Sequence, residues 1–459
     1  MKTTKHISQF FIMLTLILLT QTLVSADMHK DSEAAKAPEH VQTMLIKNIK
    51  IFKGTSEELI TGKDVVLVGN KIDKIILAGS NSGKYDQVID GKGGYLTPGL
   101  IDNHWHCLLA LDYAVVFSSP TQYLDAVATW EAKEILMRGV TTVRDAGGNT
   151  AGLKLATDQG YVTGPRIYPS QAVLSQYSGH TDFRNKNFLP KEWGGPIDPV
   201  EQIGLGLLVN GRDQMLQAVR HNLYQGATQI KLCVTGGVSS YSDPLYVNEF
   251  LPEEIEAAVL AARDYGTYVM VHAHSSEGIQ RAIKAGVKTI EHGMMADEET
   301  VKMMADYSVA ASFQALVAKQ LLDVYKESDP RLAKARAAWD NIDNVMKWAK
   351  KYNVKMGWGT DLLEGLDTRK QQLQDLVLKK KWFSSAELMI QATGNNGEIV
   401  ALCGKRNPYG KLGVIEEGAM ADVLIYNKNP LDDIAIVADY ESNLKLIIKD
   451  GKIYKNTLE

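Results

Sequence analysis

The alternation of short strand-like runs with longer helical stretches constrains the fold of this chain most strongly. It extends over residues 96–408, and helical periodicity is clearest in 253–264, 277–284 and 332–351. Strand followed by helix, repeated along a chain, is typical of βα units around a parallel sheet. Eight runs are candidate strands, namely residues 99–102, 141–144, 166–168, 229–232, 268–272, 289–292, 309–312 and 354–358.

Eight strands in about 310 residues suit a (β/α)8 TIM-type barrel. Periodicity alone leaves an open, doubly wound sheet almost equally compatible. Residues 41–95 and 409–459 instead contain β-branched runs between turn residues, and neither segment is large enough to make a good sandwich alone. The predicted fold class is therefore α/β, with a (β/α)8 TIM-type barrel over 96–408 inserted in a small β-sandwich domain formed by both chain ends.

The first 26 residues have the pattern of a secretory signal peptide. Lys2 and Lys5 give a positive start, residues 10–19 are almost entirely apolar, and Val24-Ser25-Ala26 resembles a cleavage site. We expect a secreted or periplasmic protein cleaved near Ala26, with residues 27–40 as a polar leader; an uncleaved anchor is the alternative. Stable membrane insertion is not expected, because no run approaches the roughly 20 apolar residues of a spanning helix.

The charge of the chain argues against nucleic acid as a partner. Its 50 Lys and Arg residues and 54 Asp and Glu residues give a net charge of −4, with no long run of one sign. Binding to nucleic acid needs a basic surface that neutralises phosphates. We therefore expect a small-molecule substrate, and a homo-oligomer is compatible with the sequence.

Histidines lie at the ends of several predicted strands. His104 and His106 end the first barrel strand, and side chains two residues apart on a strand point to the same face. His272 and His292 end the fifth and sixth strands, and Asp361 follows the eighth. The carboxyl ends of barrel strands converge on one pocket. Four imidazoles and a carboxylate therefore predict a divalent-cation site.

Lys231 lies among apolar residues on the fourth predicted strand, in Gln229-Ile230-Lys231-Leu232-Cys233. A lysine in such a run is commonly a surface residue with a buried stem. At the end of a barrel strand facing cations, however, its amine would lose its proton easily. The neutral amine could take up carbon dioxide, giving a carbamate whose two oxygens bridge two cations.

These segments together resemble the amidohydrolase superfamily over essentially the whole chain after residue 26. Besides Lys231, His272, His292 and Asp361, the resemblance rests on Thr97-Pro98-Gly99-Leu100-Ile101-Asp102-Asn103-His104-Trp105-His106 and Gly418-Ala419-Met420-Ala421-Asp422-Val423. Residues 230–237, 271–274 and 290–293 are similar to the imidazolonepropionase-like branch. This branch includes metal-dependent Xaa-Pro dipeptidases, which are prolidase-like, and ochratoxin-type amidases.

The resemblance implies a binuclear centre of two divalent metal ions, usually Zn²⁺, with Mn²⁺ or Co²⁺ as alternatives. The implied ligands are His104, His106 and Asp361 for one ion, His272 and His292 for the other, and Lys231, as N6-carboxylysine, bridging both. A metal-bridging hydroxide would cleave an amide bond, with Asp361 as the catalytic residue that takes and passes on the proton. The expected substrate is a dipeptide, such as Xaa-Pro, or an N-acyl amino acid.

Four further residues are candidates for contact with the substrate. His180 resembles the histidine of a Gly-His segment that lines the pocket in this branch, and we expect it to be catalytic by polarising the substrate carbonyl or to hold a carboxylate. Tyr241 would donate a hydrogen bond to a substrate carboxylate, with a surface tyrosine as the alternative. His274 is expected near the substrate, and Arg184 would match an anionic group, although an exposed arginine is equally compatible.

Two other functions stay open on the sequence. His274-Ser275-Ser276-Glu277 has the spacing used by mononuclear-metal deaminases of the same superfamily, in which Glu277 would move the proton; a cyclic amidase is a related alternative. Glu277 is equally explained as an acidic residue at the start of a helix. A catalytically silent binding protein is the third reading. It would have to bury six ligand-type residues without metal, which is unfavourable.

Overall fold

The structure is a computed structural model that describes residues 40–80, 83–363 and 365–458. The predicted signal peptide (1–26) and the predicted polar leader (27–40), apart from His40, lie outside the described residues. The described strands are β1 Thr43–Phe52, β2 Leu59–Ile60, β3 Lys63–Val68, β4 Lys71–Leu77, β5 Gln87–Pro98, β6 Leu100–Trp105, β7 Val140–Asp145, β8 Arg166–Pro169, β9 Val173–Ser175, β10 Gly206–Leu208, β11 Ile230–Cys233, β12 Val269–Ser275, β13 Thr289–Met295, β14 Ala310–Ser312, β15 Val423–Tyr426, β16 Leu444–Lys449 and β17 Lys452–Asn456.

The helices lie mainly between the barrel strands. Those described are Tyr113–Ser118, Thr121–Met137, Ala151–Asp158, Pro199–Gln202, Arg212–Tyr224, Pro252–Asp264, Ser276–Ala285, Glu298–Asp306, Ala315–Val324, Arg331–Asp340, Ile342–Lys351, Leu366–Arg369, Gln374–Lys379, Ser385–Ile390, Asn396–Ala401, Ala435–Ala438 and Tyr440–Asn443. None of these helices combines the length and the apolar character that crossing a membrane requires.

Strands from both ends of the chain form one eight-stranded sheet, in the order β17-β16-β15-β5-β1-β3-β4, with β2 paired to β1. β5 is the junction, because it runs parallel to β1 and antiparallel to β15. Side chains on one face of this sheet, such as Ile46, Ile51 and Ile425, form a hydrophobic core that is separate from the core of the barrel. The expected pairing of the two chain ends in one β-rich region is confirmed, and β5 continues to Pro98, beyond the predicted boundary at residue 95.

The barrel strands form two parallel sheets, β6-β7-β8 and β10-β9-β11-β12-β13-β14. Seven of the eight predicted strands are present, whereas the eighth is reduced to a single bridge between Met356 and Ala311. The strands described do not pair into a closed ring. Single backbone hydrogen bonds connect the two sheets: Asn103 N–H donates to Trp358 O (2.9 Å), and Thr228 N–H donates to Pro169 O (2.8 Å). The predicted fold class, an α/β barrel with a β-rich end domain, is confirmed, although the described strands do not close the barrel.

The predicted helix over 332–351 is wrong in one respect, because the chain forms two helices that meet at Asn341. The Asn341 side-chain amide donates to Met294 O (3.1 Å), near the end of β13, and to Ala296 O (2.9 Å), just after it. This tether, together with a backbone φ of −100° and ψ of 0° at Asn341, interrupts the helix. Apolar periodicity continues across the break and therefore does not reveal it.

Candidate active site

The end of β6 and the segment after the eighth predicted strand bring three ligand-type side chains together. His106 Nε2 lies 3.2 Å from Asp361 Oδ1, and His104 Nε2 lies 3.5 Å from the same oxygen. Gly359 permits this approach, since a Cβ there would lie 2.8 Å from the Cβ of His104. One ligand atom from each of the three residues falls within 4.8 Å of the others, so this group can hold one metal ion.

A second group consists of His272, His274 and His292, whose ligand atoms also lie within 4.8 Å of one another. His272 and His274 are two residues apart on β12 and therefore face the same side. The sequence interpretation placed His274 near the substrate, and the structure additionally brings it within reach of an ion held by the other two. The two groups adjoin, because the rings of His104 and His292 have centroids 5.0 Å apart.

Backbone strain coincides with two of these residues. His292 has φ of 73° and Asp361 has φ of 52°, both in the left-handed region that favours glycine. Such conformations cost about 1–3 kcal/mol each and persist where the surrounding structure holds them, often at functional sites. At His292 the effect is visible, since the consecutive side chains of Glu291 and His292 both face the site interior instead of alternating.

Lys231 projects from β11 into the same site. Its Nζ lies 3.4 Å from His104 Nε2, and the side chain is buried. Burial lowers the pKa of Lys231, an effect that the nearby Glu291 and Asp361 carboxylates oppose only in part. The structure therefore has the inward orientation of Lys231 that the sequence interpretation requires. Because its pKa is lowered, the amine loses its proton more easily than that of a surface lysine.

A buried ion pair behind His104 fixes the orientation of its ring. Arg144 Nη2 donates to Glu291 Oε1 (2.6 Å), and His104 Nδ1 donates to Glu291 Oε2 (2.9 Å). Burial opposes ionisation of Glu291, but Arg144 and His104 outweigh it and lower its pKa to about 2. His106 is oriented similarly, with Nδ1 donating to Gly147 O (3.2 Å). Both histidines therefore direct the Nε2 lone pair toward Asp361.

Both groups suit a divalent cation chemically. Asp361 Oδ1 and His274 Nδ1 are buried atoms for which the described residues provide no hydrogen-bond partner. Burial lowers the pKa of His104 to about 4 and of His274 to about 3, and it places those of His272 and His292 well below the ordinary value. The imidazoles of these four residues are therefore neutral at pH 7, which is the form that binds metal. Neutral imidazole nitrogens with a carboxylate oxygen fit zinc and similar ions.

His180 stands beside the second group. Its ring stacks on that of His272, with centroids 4.1 Å apart and planes 17° apart. The Nδ1 atom faces Ser240 Oγ (2.8 Å) and Asp243 Oδ2 (3.1 Å). The backbone N–H of His180 donates to the buried carboxylate of Glu249 (2.6 Å), so both ring and backbone are held.

The two groups line a cavity of about 420 Å³. His180 and Lys231 also line it, and much of the remaining wall is apolar, with Leu109, Tyr113, Phe183, Leu205, Val317 and Leu321 among its residues. A concave, mostly apolar space with a few convergent polar groups is typical of a small-molecule site. Lys231 is the only Lys or Arg among the lining residues in the described part of the chain.

Two predicted substrate-binding residues do not reach this cavity. The guanidinium of Arg184 is paired with Asp182 (Nε to Oδ1, 2.8 Å) and lies over the ring of Tyr177. Tyr241 is 63% exposed and packs against the guanidinium of Arg331 instead. Neither Arg184 nor Tyr241 contacts the two ligand groups, and their roles in substrate binding stay predictions.

Glu277 likewise lies away from the cavity. Its side chain is 72% exposed and pairs with Arg281 across one helical turn (3.2 Å). It occupies the first turn of the helix Ser276–Ala285, where a carboxylate interacts favourably with the helix dipole. The position does not suit the proton-moving role that a mononuclear deaminase would need.

Sequence reasoning missed several buried charged residues around the site. Asp102, Glu291 and, through Glu291, Arg144 hold His104, whereas Asp243 and Glu249 hold His180. Glu291 and Arg144 had one available signal. Both are charged residues inside predicted barrel strands, as Lys231 is, but their pairing connects positions 147 residues apart. Without the fold, each is as easily interpreted as a surface residue.

The parallel strands and the two ligand groups define an α/β barrel enzyme with a candidate metal centre. The chain matches the Amidohydrolase family over residues 95–454 and belongs to this family. It is a hydrolase that acts on carbon–nitrogen bonds, as the superfamily resemblance of the sequence implied.

Three relatives are similar along most of their length. Ochratoxinase of Aspergillus niger is 30% identical over 388 residues, which cover 78% of this chain and 75% of that protein. Imidazolonepropionase of Alkaliphilus metalliredigens is 25% identical over 439 residues, which cover 83% of this chain and 90% of that protein. The solved structure of a prolidase complexed with N-methylphosphonate-L-proline is 30% identical with a TM-score of 0.80, covering 91% of this chain and 100% of that one.

Proposed function

We propose that the protein is an exported, binuclear metal-dependent amidohydrolase that cleaves the amide bond before a C-terminal amino acid, in dipeptides such as Xaa-Pro or in N-acyl amino acids. The main support is the position of Lys231, whose Nζ lies 3.4 Å from His104 Nε2, beside two adjoining groups of ligand-type side chains. The prolidase and ochratoxinase relatives support amide cleavage. Export rests on the sequence pattern of residues 1–26.

Two divalent ions would be held by His104, His106 and Asp361 on one side and by His272 and His292 on the other, with carboxylated Lys231 between them. When bound, such ions supply an activated water at neutral pH and polarise a carbonyl oxygen. His274 lies within reach of the second ion.

Asp361 is placed to move the proton. Burial alone would raise its pKa, but His104, His106 and Lys231 outweigh burial and keep the pKa below the ordinary value, so the carboxylate is ionised at neutral pH. An ionised carboxylate at the cavity wall can accept a proton from the attacking water and deliver it to the leaving nitrogen. The strained backbone of Asp361 holds the carboxylate toward the cavity.

His180 and the apolar wall would orient the substrate. Because the buried residues Ser240, Asp243 and Glu249 hold His180 in place, its ring presents a fixed edge to a bound carbonyl or carboxylate. Phe183 and Tyr113 belong to one aromatic cluster, with ring centroids 5.6 Å apart, and would pack against an apolar side chain or acyl group.

The proposal is tested with purified protein loaded separately with zinc, manganese or cobalt in the presence of bicarbonate. Xaa-Pro dipeptides, other dipeptides and N-acyl amino acids form the substrate panel, and Asp361→Asn is the control for contaminating hydrolases. We expect about two ions per chain by elemental analysis and hydrolysis of at least one substrate class. Absence of turnover with all three metals would reject the assignment. N-terminal sequencing of the protein recovered outside the cytoplasm tests export, and an intact residue 1 would contradict cleavage near Ala26.

A further inference from the structure

Arg369 is a fully buried arginine next to the candidate metal centre that the proposed reaction does not use. It ends the short helix Leu366–Arg369, and its side chain is 0% exposed. The Nη1 atom donates to three backbone carbonyls, those of His106 (2.9 Å), Leu109 (3.0 Å) and Leu362 (3.1 Å). One guanidinium nitrogen therefore connects the segment that bears His106 with the residue directly after Asp361.

The rest of the guanidinium is held equally firmly. Nε and Nη2 donate to the two carboxylate oxygens of Glu131, each at 2.7 Å, in a bidentate pair. Glu131 lies on the helix Thr121–Met137 and is buried as well. The positive charge is thus neutralised within the pair, and a planar fork of this kind has a geometry that lysine cannot reproduce.

Trp105 completes the environment of Arg369. The guanidinium carbon lies 3.9 Å from the centre of the Trp105 ring, so the cation rests on the aromatic face. Trp105 is the residue between His104 and His106 and is fully buried. Its side chain points away from the metal-ligand side, as alternation on a strand requires, and supports the arginine there.

We propose that Arg369 is a positioning residue that sets the metal affinity of the His104, His106 and Asp361 group by holding the two segments at their separation of 3.2 Å between His106 Nε2 and Asp361 Oδ1. The inference rests on the proposed metal-dependent function. Outer residues that orient metal ligands typically change metal affinity by about 10- to 100-fold when they are replaced. The second group, His272 with His274 and His292, has no hydrogen bond to Arg369 among those described.

The test uses Arg369→Lys in the full-length protein, freed of metal with a chelator and titrated with Co²⁺. We expect one cobalt ion to bind about 10- to 100-fold more weakly than in the wild type, with a changed visible absorption spectrum for that ion. Affinity for the other ion should not change. Equal affinities and spectra for both ions in the variant and the wild type would overturn the proposal.

Arg166→Lys is the matched control. Arg166 is also a buried arginine with a bidentate carboxylate partner, Asp422 (2.9 and 3.2 Å), but it begins the barrel strand β8, pairs with the residue before β15 and touches neither ligand group. Its replacement should leave both cobalt affinities unchanged. An equal loss in the two variants would mean that Arg369 acts only through general stability, which also overturns the proposal.

If Arg369→Lys fails to fold by circular dichroism, Glu131→Gln replaces it. This change leaves the three carbonyl contacts of Arg369 possible and weakens only the bidentate pair, so we expect a smaller weakening of the same ion. Unchanged cobalt binding in folded Glu131→Gln would overturn the inference. A wild-type protein that binds fewer than two cobalt ions would instead contradict the proposed binuclear function, whatever the variants do.

Discussion

Replacement of Glu291 by Gln should lower both the free energy of unfolding and the affinity for metal, and the two effects can be measured separately. The Glu291 carboxylate is fully buried between Arg144 (2.6 Å) and His104 (2.9 Å). Its pKa of about 2 lies roughly 2.5 units below the ordinary 4.5, and at 1.36 kcal/mol per unit this corresponds to about 3 kcal/mol. Loss of one partner from a buried ion pair costs a similar amount, about 3–5 kcal/mol.

The measurement is urea unfolding of the metal-free variant and wild type at pH 7, followed by circular dichroism. Because folding lowers the pKa of Glu291, its stabilising effect is complete above about pH 4.5 and is lost as the pH falls through 2. The difference between the two proteins should therefore be about 3 kcal/mol at pH 7 and should shrink in acid below pH 4.5. A variant whose free energy of unfolding equals that of the wild type at pH 7 would refute this reasoning.

The effect of Glu291→Gln on metal binding is distinguished from its effect on stability by Asp422→Asn. This control weakens the buried ion pair between Asp422, just before β15, and Arg166 of the barrel strand β8. Both variants should unfold at lower urea concentration. Only Glu291→Gln should bind zinc more weakly, by about 10- to 100-fold in calorimetry, because only it releases the ring of His104. Equal zinc affinities in the two variants would show that the ring does not need this carboxylate.

Three further outcomes are expected. Lys231→Ala should lose most turnover and bind less metal by elemental analysis, and intact native mass spectrometry of the wild type should show one added CO₂ that the variant lacks; a fully active variant would exclude a bridging role. Asp361→Asn should lower kcat by at least about 10²-fold in steady-state assays while the fold persists, since proton transfer is worth about 10²- to 10⁴-fold. Metal-free protein should lose stability as the pH falls below 6.5, because folding lowers the pKa of His104 to about 4 and of His274 to about 3. Between the pKa of the unfolded and of the folded state, each such imidazole lowers the free energy of unfolding by about 1.4 kcal/mol for each pH unit of acidification. Urea midpoints that do not change between pH 7 and 5 would contradict this.

The sequence predicts the parallel strands well where they are short runs that contain apolar and β-branched residues, as in β6, β7 and β11 to β14. Such strands are buried on both faces, so composition identifies them directly. β9 and β10 have only three residues each and were missed, and the eighth predicted strand pairs through Met356 alone. Pairing depends on neighbours far along the chain, which local composition does not report.

The inward positions of His104, Lys231 and His272 could be anticipated because strand ends converge in a barrel. Arg184 could not, because its guanidinium has a local alternative, the carboxylate of Asp182 two residues earlier (2.8 Å). The residues that orient the ligands could not be predicted either, since the role of Glu291 depends on its contact with Arg144, which is distant in the sequence. Ligand types are thus visible in the sequence, whereas the groups that orient them depend on long-range packing.

The junction at β5 has a consequence for synthesis of the chain. β5 pairs with β1 on one side and with β15, more than three hundred residues later, on the other. A nascent or truncated chain that stops before Val423 leaves one edge of β5 open, and open edges recruit strands from other molecules. We expect prematurely terminated products to self-associate, so that only the complete polypeptide seals its own sheet.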